Sequence, residues 1–159
     1  MKPSSTLATW RTRKAAQVTR LVRPDENTKF RVDYGWWAER GRDLRVLIRE
    51  QLCAECSARF EGYSDSQDID WVDPGTGEVT VVDGLQYSLR ECCSLKEDYV
   101  TRTTPLATAV FRVLVADGDT PLSAGEIQER IGKSDPKTLL RILMGREMRT
   151  HYGVRPILE

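Results

Sequence analysis

Three sequence signals in the last third of the chain mark where helices begin. Each pairs a capping side chain with residues that favour a first helical turn: Thr104-Pro105, Ser123-Ala124-Gly125-Glu126 and Asp135-Pro136. In the second signal the serine and the glutamate have the spacing of a capping box. Gly132 then supplies the left-handed residue that commonly ends a helix. Short helices are therefore predicted after each signal, between residues 104 and 143.

Apolar side chains recur at helical spacing in each predicted helix, which gives each helix one side to bury. These sides comprise Leu106, Ala109, Val110, Val113 and Leu114 in the first helix, Ile127 and Ile131 in the second, and Leu139, Leu140 and Leu143 in the third. Leu122 and Ile127 are placed to pack together as a hydrophobic staple. The pattern predicts a tri-helical unit.

This unit resembles the helix-turn-helix of winged-helix bacterial transcription regulators. The resemblance covers residues 104–143 and is carried by residues 121–127, Gly132 and residues 135–141. In that family the third helix enters the DNA major groove. The resemblance therefore implies that DNA is contacted by Ser134, Lys137, Thr138 and Arg141. Arginine can read guanine through two hydrogen bonds, and lysine and hydroxyl groups contact phosphates. A short wing through Tyr152-Gly153 is expected within residues 147–157.

A second interpretation of the same unit stays open. Residues 101–159 carry nine Lys/Arg against seven Asp/Glu, a weaker basic bias than DNA-binding domains usually show. Leu139 and Ile142 also make the third helix apolar enough for a buried element or a dimer face. Many winged helices bind proteins instead of DNA. An adaptor that binds another protein is thus the alternative, and a homodimer is open in both cases.

Charge is unevenly distributed along the chain although the formal net charge is zero. Residues 1–33 carry eight Lys/Arg against three Asp/Glu, and residues 34–100 carry seven against fourteen. Such segments either attract each other within the fold or a homodimer, or mark an interacting segment. The expected organisation is a basic arm at residues 1–29, a domain at residues 30–100 and a second domain at residues 104–159.

The basic arm has six Lys/Arg and no acidic residue up to Arg23. Its apolar residues fall at helical spacing, so a basic amphipathic helix can form on a partner. Three interpretations compete: a mobile terminal arm, an arm that docks on nucleic acid or a partner, and an organelle transit peptide. In the second interpretation, Arg11, Arg13 and Lys14 add contacts to the DNA backbone.

The sequence of residues 30–100, the acidic domain, predicts a mixture of strands and helices. Residues 30–37 begin with strand-like alternation, which would turn the adjacent Trp36 and Trp37 to opposite faces. A helix is expected from about Arg42 to Gln51 or beyond. Residues 69–72 and 79–82 are β-prone runs joined by a turn with proline and glycine, so they predict a hairpin. Another helix is expected after Asp83-Gly84.

Four cysteines in this domain form the candidate metal site. Cys53 and Cys56 have the two-residue spacing that lets both sulfurs reach one tetrahedral ion, and Cys92 and Cys93 can complete a four-thiolate Zn²⁺ site. Three features oppose it. The first pair lacks a turn-forming proline or glycine, and adjacent cysteines in a continuous helix diverge by about 100°. His151, the only histidine, is too far along the chain to be assumed a substitute ligand. Buried thiols and a redox pair are the alternatives.

The expected fold class is α+β, with a small N-terminal helix-hairpin-helix domain that zinc can clamp and a winged-helix-like C-terminal domain. No apolar run approaches the roughly 20 residues of a membrane span, and no secretory signal is recognised, so a cytoplasmic protein without membrane contact is expected. No catalytic constellation stands out, and an enzyme is not expected. The expected function is a small regulator or accessory protein that binds double-stranded DNA.

Overall fold

The computed structural model describes residues 22–60, 68–118 and 120–158. These ranges contain both helices and small antiparallel sheets, in agreement with the expected mixed fold class. In chain order they are β1 (Lys29–Val32), α1 (Tyr34–Glu39), α2 (Leu44–Glu50), α3 (Ala54–Arg59), β2 (Asp68–Val72), β3 (Val79–Asp83), α4 (Gly84–Glu91), α5 (Leu106–Ala116), α6 (Ala124–Ile131), α7 (Pro136–Leu143) and β4 (Val154–Ile157). A 3₁₀ turn (Cys93–Leu95) follows α4, and a π-helical turn (Met148–Tyr152) precedes β4.

Helices α5, α6 and α7 pack against one another as a three-helix unit. α5 is buried along most of its length, and Phe111 at its centre has no exposed surface. Ile127 of α6 and Leu139 and Leu143 of α7 are at most 1% exposed. The predicted apolar sides of these helices therefore form the core of the unit.

The start signals of α6 and α7 form the predicted capping bonds. The Ser123 hydroxyl accepts a hydrogen bond from the Glu126 N–H, and the Glu126 carboxylate accepts one from the Ser123 N–H. Gly132 ends α6 with a φ of 67°. Asp135 begins α7 by accepting a hydrogen bond from the Thr138 N–H at 3.0 Å. Both boundaries are thus confirmed.

The predicted start of α5 is wrong by one residue. Pro105 occupies the N-cap position without a side-chain capping bond, and the helix begins at Leu106. The Thr104 hydroxyl instead accepts a hydrogen bond from the Thr101 N–H at 2.9 Å. Threonine hydroxyls readily bond to nearby backbone, and here the preceding turn provides a closer donor than the helix does.

Strand β1 pairs with β4, so the two ends of the described chain meet in one antiparallel sheet. On its other side, Phe30 forms an isolated antiparallel bridge with Leu122, which lies between α5 and α6. The expected wing in residues 147–157 is therefore not a local hairpin. The π-helical turn ends at Gly153 with a φ of 66°, and the strand that follows takes β1 as its partner.

The residues after β1 form a helix instead of a longer strand. Asp33 caps α1 by accepting a hydrogen bond from the Trp36 N–H at 3.2 Å. Trp36 and Trp37 are both buried, and they lie on α1 instead of on a strand. The Trp37 indole N–H donates to the Tyr152 carbonyl at 3.1 Å. Gly153 is required beside them because an added Cβ would lie 2.6 Å from the Trp36 ring.

The helix expected from Arg42 onward is divided into α2 and α3. Cys53 separates them and is the N-cap residue of α3, so the first cysteine pair lies at the start of a helix. The predicted hairpin is confirmed as β2 and β3, with Val72 opposite Val79. Asp83 then starts α4 by accepting a hydrogen bond from the Leu85 N–H at 2.9 Å.

One continuous core joins the parts of the described chain. It includes Phe30 and Cys56 from the first predicted domain and Phe111 and Val154 from the second. The core and the β1–β4 sheet both cross the expected boundary near residue 100, and separate folding of the two parts stays a prediction. Among the described helices, none combines the length and the apolar character that a membrane crossing requires.

Candidate metal centre and nucleic-acid interface

The four cysteines converge on one point of the fold. The Sγ atoms of Cys53, Cys56, Cys92 and Cys93 all lie within 4.8 Å of one another, and those of Cys53 and Cys93 are 3.5 Å apart. A tetrahedral zinc–thiolate site, with Zn–S bonds of about 2.3 Å, places its sulfurs about 3.8 Å apart. The predicted grouping is confirmed, and this cluster can hold a metal ion.

Two helix ends bring the sulfurs together. Cys53 and Cys56 lie at the N-cap and in the first turn of α3. Cys92 ends α4 with φ −127° and ψ −67°, and Cys93 begins the 3₁₀ turn. Because the helix breaks between the two adjacent cysteines, their side chains do not diverge as they would in a continuous helix. This break removes one of the sequence-based objections to a shared site.

The cluster has a buried side and an accessible side. Cys56 and Cys93 are at most 1% exposed, whereas Cys53 and Cys92 are half-buried. The Cys53 backbone N–H donates to the Cys93 sulfur at 3.2 Å. Backbone donors to sulfur stabilise negative charge on it, which is the charge that a metal-bound thiolate carries.

The surroundings of Cys53, Cys56 and Cys93 shift the pKa values of their thiols in different directions. The backbone N–H of Cys56 lowers the pKa of Cys53 to about 7, while burial raises the pKa of Cys56 and of Cys93. Negative charge at Cys53 also raises the pKa of Lys96, whose ammonium lies 3.8 Å from the Glu55 carboxylate. A cation beside the cluster offsets part of the charge of four thiolates. Lys96 was missed in the sequence because its position depends on the 3₁₀ turn.

The structure bears differently on the two alternatives to a metal site, which are a redox pair and buried thiols. A redox pair typically follows a strand and lies where a helix begins at its first sulfur. Helix α3 does begin at Cys53, but a short loop after α2 precedes it instead of a strand. All four cysteines are free thiols. His151, the single histidine, is exposed and lies edge-on to the Tyr152 ring, with the ring centroids 4.5 Å apart, outside the cluster.

Helix α7 presents a cationic side to solvent. Lys137 and Arg141 are both exposed and lie one helical turn apart. Leu139 and Leu143 are buried on the other side of the helix. The two cations are therefore carried by a helix whose orientation is set by core packing.

The other two predicted contacts on this helix have different environments. Ser134 is exposed and takes a positive φ of 69°, in the turn that leads into α7. Thr138 is half-buried, and its hydroxyl donates to the Asp135 carboxylate at 2.9 Å. That hydroxyl reinforces the helix cap, so Ser134 presents the more available hydroxyl.

More cations follow α7 in the chain. Arg146 and Arg149 are exposed, and within the described ranges neither they nor Lys137 and Arg141 form a salt bridge. Lys133 differs, because its ammonium donates to three backbone carbonyls in the loop before α5. Unpaired cations are available to a polyanion, whereas Lys133 is engaged in holding a loop.

Two further cations lie in the β1–β4 sheet. Arg31 and Arg155 lie directly opposite each other in the β1–β4 pair, and Arg155 differs from the cations of α7 because it forms a salt bridge with Asp33 at 3.5 Å. No local pattern in the sequence could have shown this pair, since the pairing joins the two ends of the chain. Arg11, Arg13 and Lys14 lie outside the described residues.

The cysteine cluster and the cationic side of α7 are the two chemically distinct features of the described chain. No protein-family model, curated protein or solved structure matches this sequence. Function is therefore inferred from the geometry and the chemistry of these two features.

Proposed function

We propose that this chain is a small DNA-binding regulator or accessory protein that contacts the duplex through α7, in a fold stabilised by a structural zinc ion. The observation that carries the DNA proposal is the placement of Lys137 and Arg141. They are exposed and one turn apart on a helix whose other side is buried. A rigidly mounted helix with a cationic side is what major-groove binding requires.

The dimensions and charge of α7 support this role. An α-helix with its side chains is about 10–12 Å in diameter, and the major groove is about 12 Å wide, so the eight-residue helix α7 has a cross-section that fits the groove. Residues 133–158 carry six Lys/Arg against two Asp/Glu. One of the two acids, Asp135, is engaged in capping α7. Arg146 and Arg149 extend the positive charge beyond the helix and suit contacts to phosphates.

The donor set of the cluster supports zinc. Four thiolates in a tetrahedral arrangement are the ligands of structural zinc sites, and soft sulfur donors disfavour magnesium and calcium. Cys53, Cys56, Cys92 and Cys93 would supply all four ligands, which leaves no open position for catalysis. Bound zinc would tie the first turn of α3 to the end of α4. The role is therefore stabilisation of the fold.

Binding to random-sequence duplex at several salt concentrations tests the DNA proposal. The double variant Lys137→Ala/Arg141→Ala removes two phosphate or base contacts. Because each phosphate contact contributes about 0.9 to the slope of log K against log salt, the slope should become shallower by about 2. The matched control is Arg49→Ala/Arg59→Ala, which removes equal charge from α2 and α3 and should leave the slope unchanged. A slope that is the same in both double variants would remove α7 from the interface.

Elemental analysis tests the zinc proposal. Protein purified under reducing conditions without chelator should contain about one zinc per chain, and addition of a thiol-reactive mercurial should release it. A zinc content far below one per chain in fully reduced protein would show that the four cysteines are thiols that do not bind zinc.

A protein-binding adaptor is the second candidate function, and one observation favours it. Met144 is 43% exposed one turn after Arg141, and Leu140 and Ile142 on the same helix are half-buried. An apolar margin beside the cations suits a protein partner better than a phosphate backbone. The adaptor predicts no DNA affinity at low salt together with a discrete complex in light scattering. Met144→Lys should weaken that complex, whereas it should strengthen non-specific DNA binding.

A further inference from the structure

The β2–β3 hairpin exposes an apolar face. Val72 lies opposite Val79 and Asp70 lies opposite Val81, so these four side chains share one face of the ribbon. The three valines are 55%, 58% and 64% exposed. We refer to Asp70, Val72, Val79 and Val81 as the valine face.

The valine face has no partner among the described residues. β2 and β3 form a sheet of their own, and only α4 follows directly from them. Grouped exposed apolar side chains commonly mark an interaction site, whereas single ones are ordinary. The grouping of three valines therefore indicates that something binds here.

The charge of the hairpin restricts the chemistry of what binds. Residues 68–83 contain five Asp/Glu and no Lys/Arg. Asp70 on the valine face and Glu78 beside it are exposed. A second copy of the same acidic hairpin would be repelled, and so would DNA. The complementary occupant is a segment that carries both positive charge and apolar side chains.

The beginning of this chain has that composition. Residues 1–21 contain five Lys/Arg, no Asp/Glu, and the apolar residues Leu7, Trp10, Val18 and Leu21. The described chain starts at Val22, which is 60% exposed. Twenty-one residues reach up to about 70 Å when extended, whereas a chain of this size has a radius of gyration of about 15 Å. Residues 1–21 can therefore reach any part of the surface.

We infer that residues 1–21 bind the valine face of the hairpin in the same molecule. The valines bury apolar side chains of the segment, and the hairpin carboxylates pair with its Lys/Arg. This contact is independent of DNA binding by α7, so its failure would leave that proposal untouched.

Trypsin digestion of the full-length protein tests the contact. Cleavage after Arg11, Arg13 and Lys14 is followed by mass spectrometry, and a synthetic peptide of residues 1–21 gives the rate without protection. The variant Val79→Thr/Val81→Thr keeps side-chain shape and strand propensity while it removes apolar surface. Cleavage should be slower in the protein than in the peptide, and about tenfold faster in the variant than in the wild type.

Controls separate this contact from other effects. Val46→Thr changes a valine on α2 that is 58% exposed, and it should leave the cleavage rate unchanged. Unchanged cleavage after Arg59 and Arg90 shows that the double variant keeps its fold. Equal rates in wild type and double variant would overturn the inference, as would a wild-type rate equal to that of the peptide. If the protection of residues 1–21 from trypsin disappears on dilution, the segment binds a second copy of the chain. That result would overturn the contact within one molecule.

Discussion

The helices of the three-helix unit and those of the cysteine-bearing region differ in how many apolar side chains they bury. α5 has eleven residues, of which seven are buried. By contrast, α2 and α3 have seven and six residues and bury only Leu44, Ile48 and Cys56 between them. Helices this short are marginal without tertiary partners. The cysteine cluster lies where α3 meets the end of α4, and a metal ion bound there would supply a constraint where apolar burial is sparse.

A small polar network connects the two regions. The Arg112 side chain on α5 donates to the Gln51 side chain at 2.8 Å and to the Tyr99 carbonyl at 2.7 Å. The Tyr99 hydroxyl donates back to the Arg112 carbonyl at 2.6 Å, and burial raises the pKa of that phenol. A substitution in one region should therefore also affect the stability of the other region. The size of this effect should differ from site to site.

Loss of the metal should produce the largest effect. Cys56→Ser removes a fully buried ligand, and we expect the free energy of unfolding to fall by more than about 4 kcal/mol, because loss of a structural metal is among the most damaging changes. Urea denaturation followed by circular dichroism measures it. Wild-type protein treated with a strong chelator should lose a similar amount.

The control for this variant is Leu95→Ser, which lies two residues from Cys93 and is 74% exposed. It should change the stability by less than about 0.5 kcal/mol. If chelator leaves the wild-type midpoint unchanged, the cysteine-bearing region is held by ordinary burial and the contrast between the two regions disappears.

The three-helix unit should lose stability when a cavity is made in its core, and a chelator should have no direct effect on it. Leu139→Ala empties a fully buried site in α7, and a loss of about 2–5 kcal/mol is expected. Met144→Ala, in a half-exposed position, is the control and should have little effect. Zinc content measured on the Leu139→Ala protein should stay at the wild-type level. Loss of zinc in this variant would show that the two regions unfold as one cooperative unit.

The elements that the sequence predicted well are those whose boundaries depend on local bonds. The Ser123–Glu126 capping box and the Asp135 cap involve residues three positions apart, so the pattern alone determines them. The hairpin turn after Asp73 is equally local, since the Asp73 carboxylate accepts a hydrogen bond from the Gly75 N–H at 2.7 Å.

The features that the sequence did not show depend on contacts between distant residues. β1 finds β4 at the other end of the chain, and no local pattern specifies that pairing. Trp36 is buried because Gly153 leaves room for its ring, and this is a tertiary effect. The cysteine grouping could be anticipated from residue type, but its geometry depends on the break of α4 at Cys92. DNA binding by Lys137 and Arg141 stays a prediction.

A single lysine should have an intermediate effect, because it holds the loop that leads into the three-helix unit. The Lys133 ammonium donates to the carbonyls of Thr101, Arg102 and Thr104 at 2.8, 3.2 and 2.5 Å. Lys133→Met leaves these carbonyls to water, and a loss of about 1–2 kcal/mol is expected in urea denaturation. Lys137→Met is the matched control on the exposed side of α7 and should be nearly neutral. Equal losses in the two variants would contradict the role of Lys133.

The smallest effect is expected where the three-helix unit contacts β1. Glu126 forms an ion pair with Lys29 in addition to its capping bond, and the Lys29 ammonium holds the pKa of Glu126 below its usual value. Glu126→Gln can keep the capping bond but loses the ion pair, so less than about 1 kcal/mol should be lost at neutral pH. A carboxylate with a lowered pKa stabilises the fold above its ordinary pKa, and this contribution fades as the pH falls through the lower, folded-state value. The stability difference between wild type and Glu126→Gln should therefore shrink on acidification, as measured by urea denaturation between pH 7 and the acid limit of folding. A difference that grows in acid would show that Glu126 is not held ionised by Lys29.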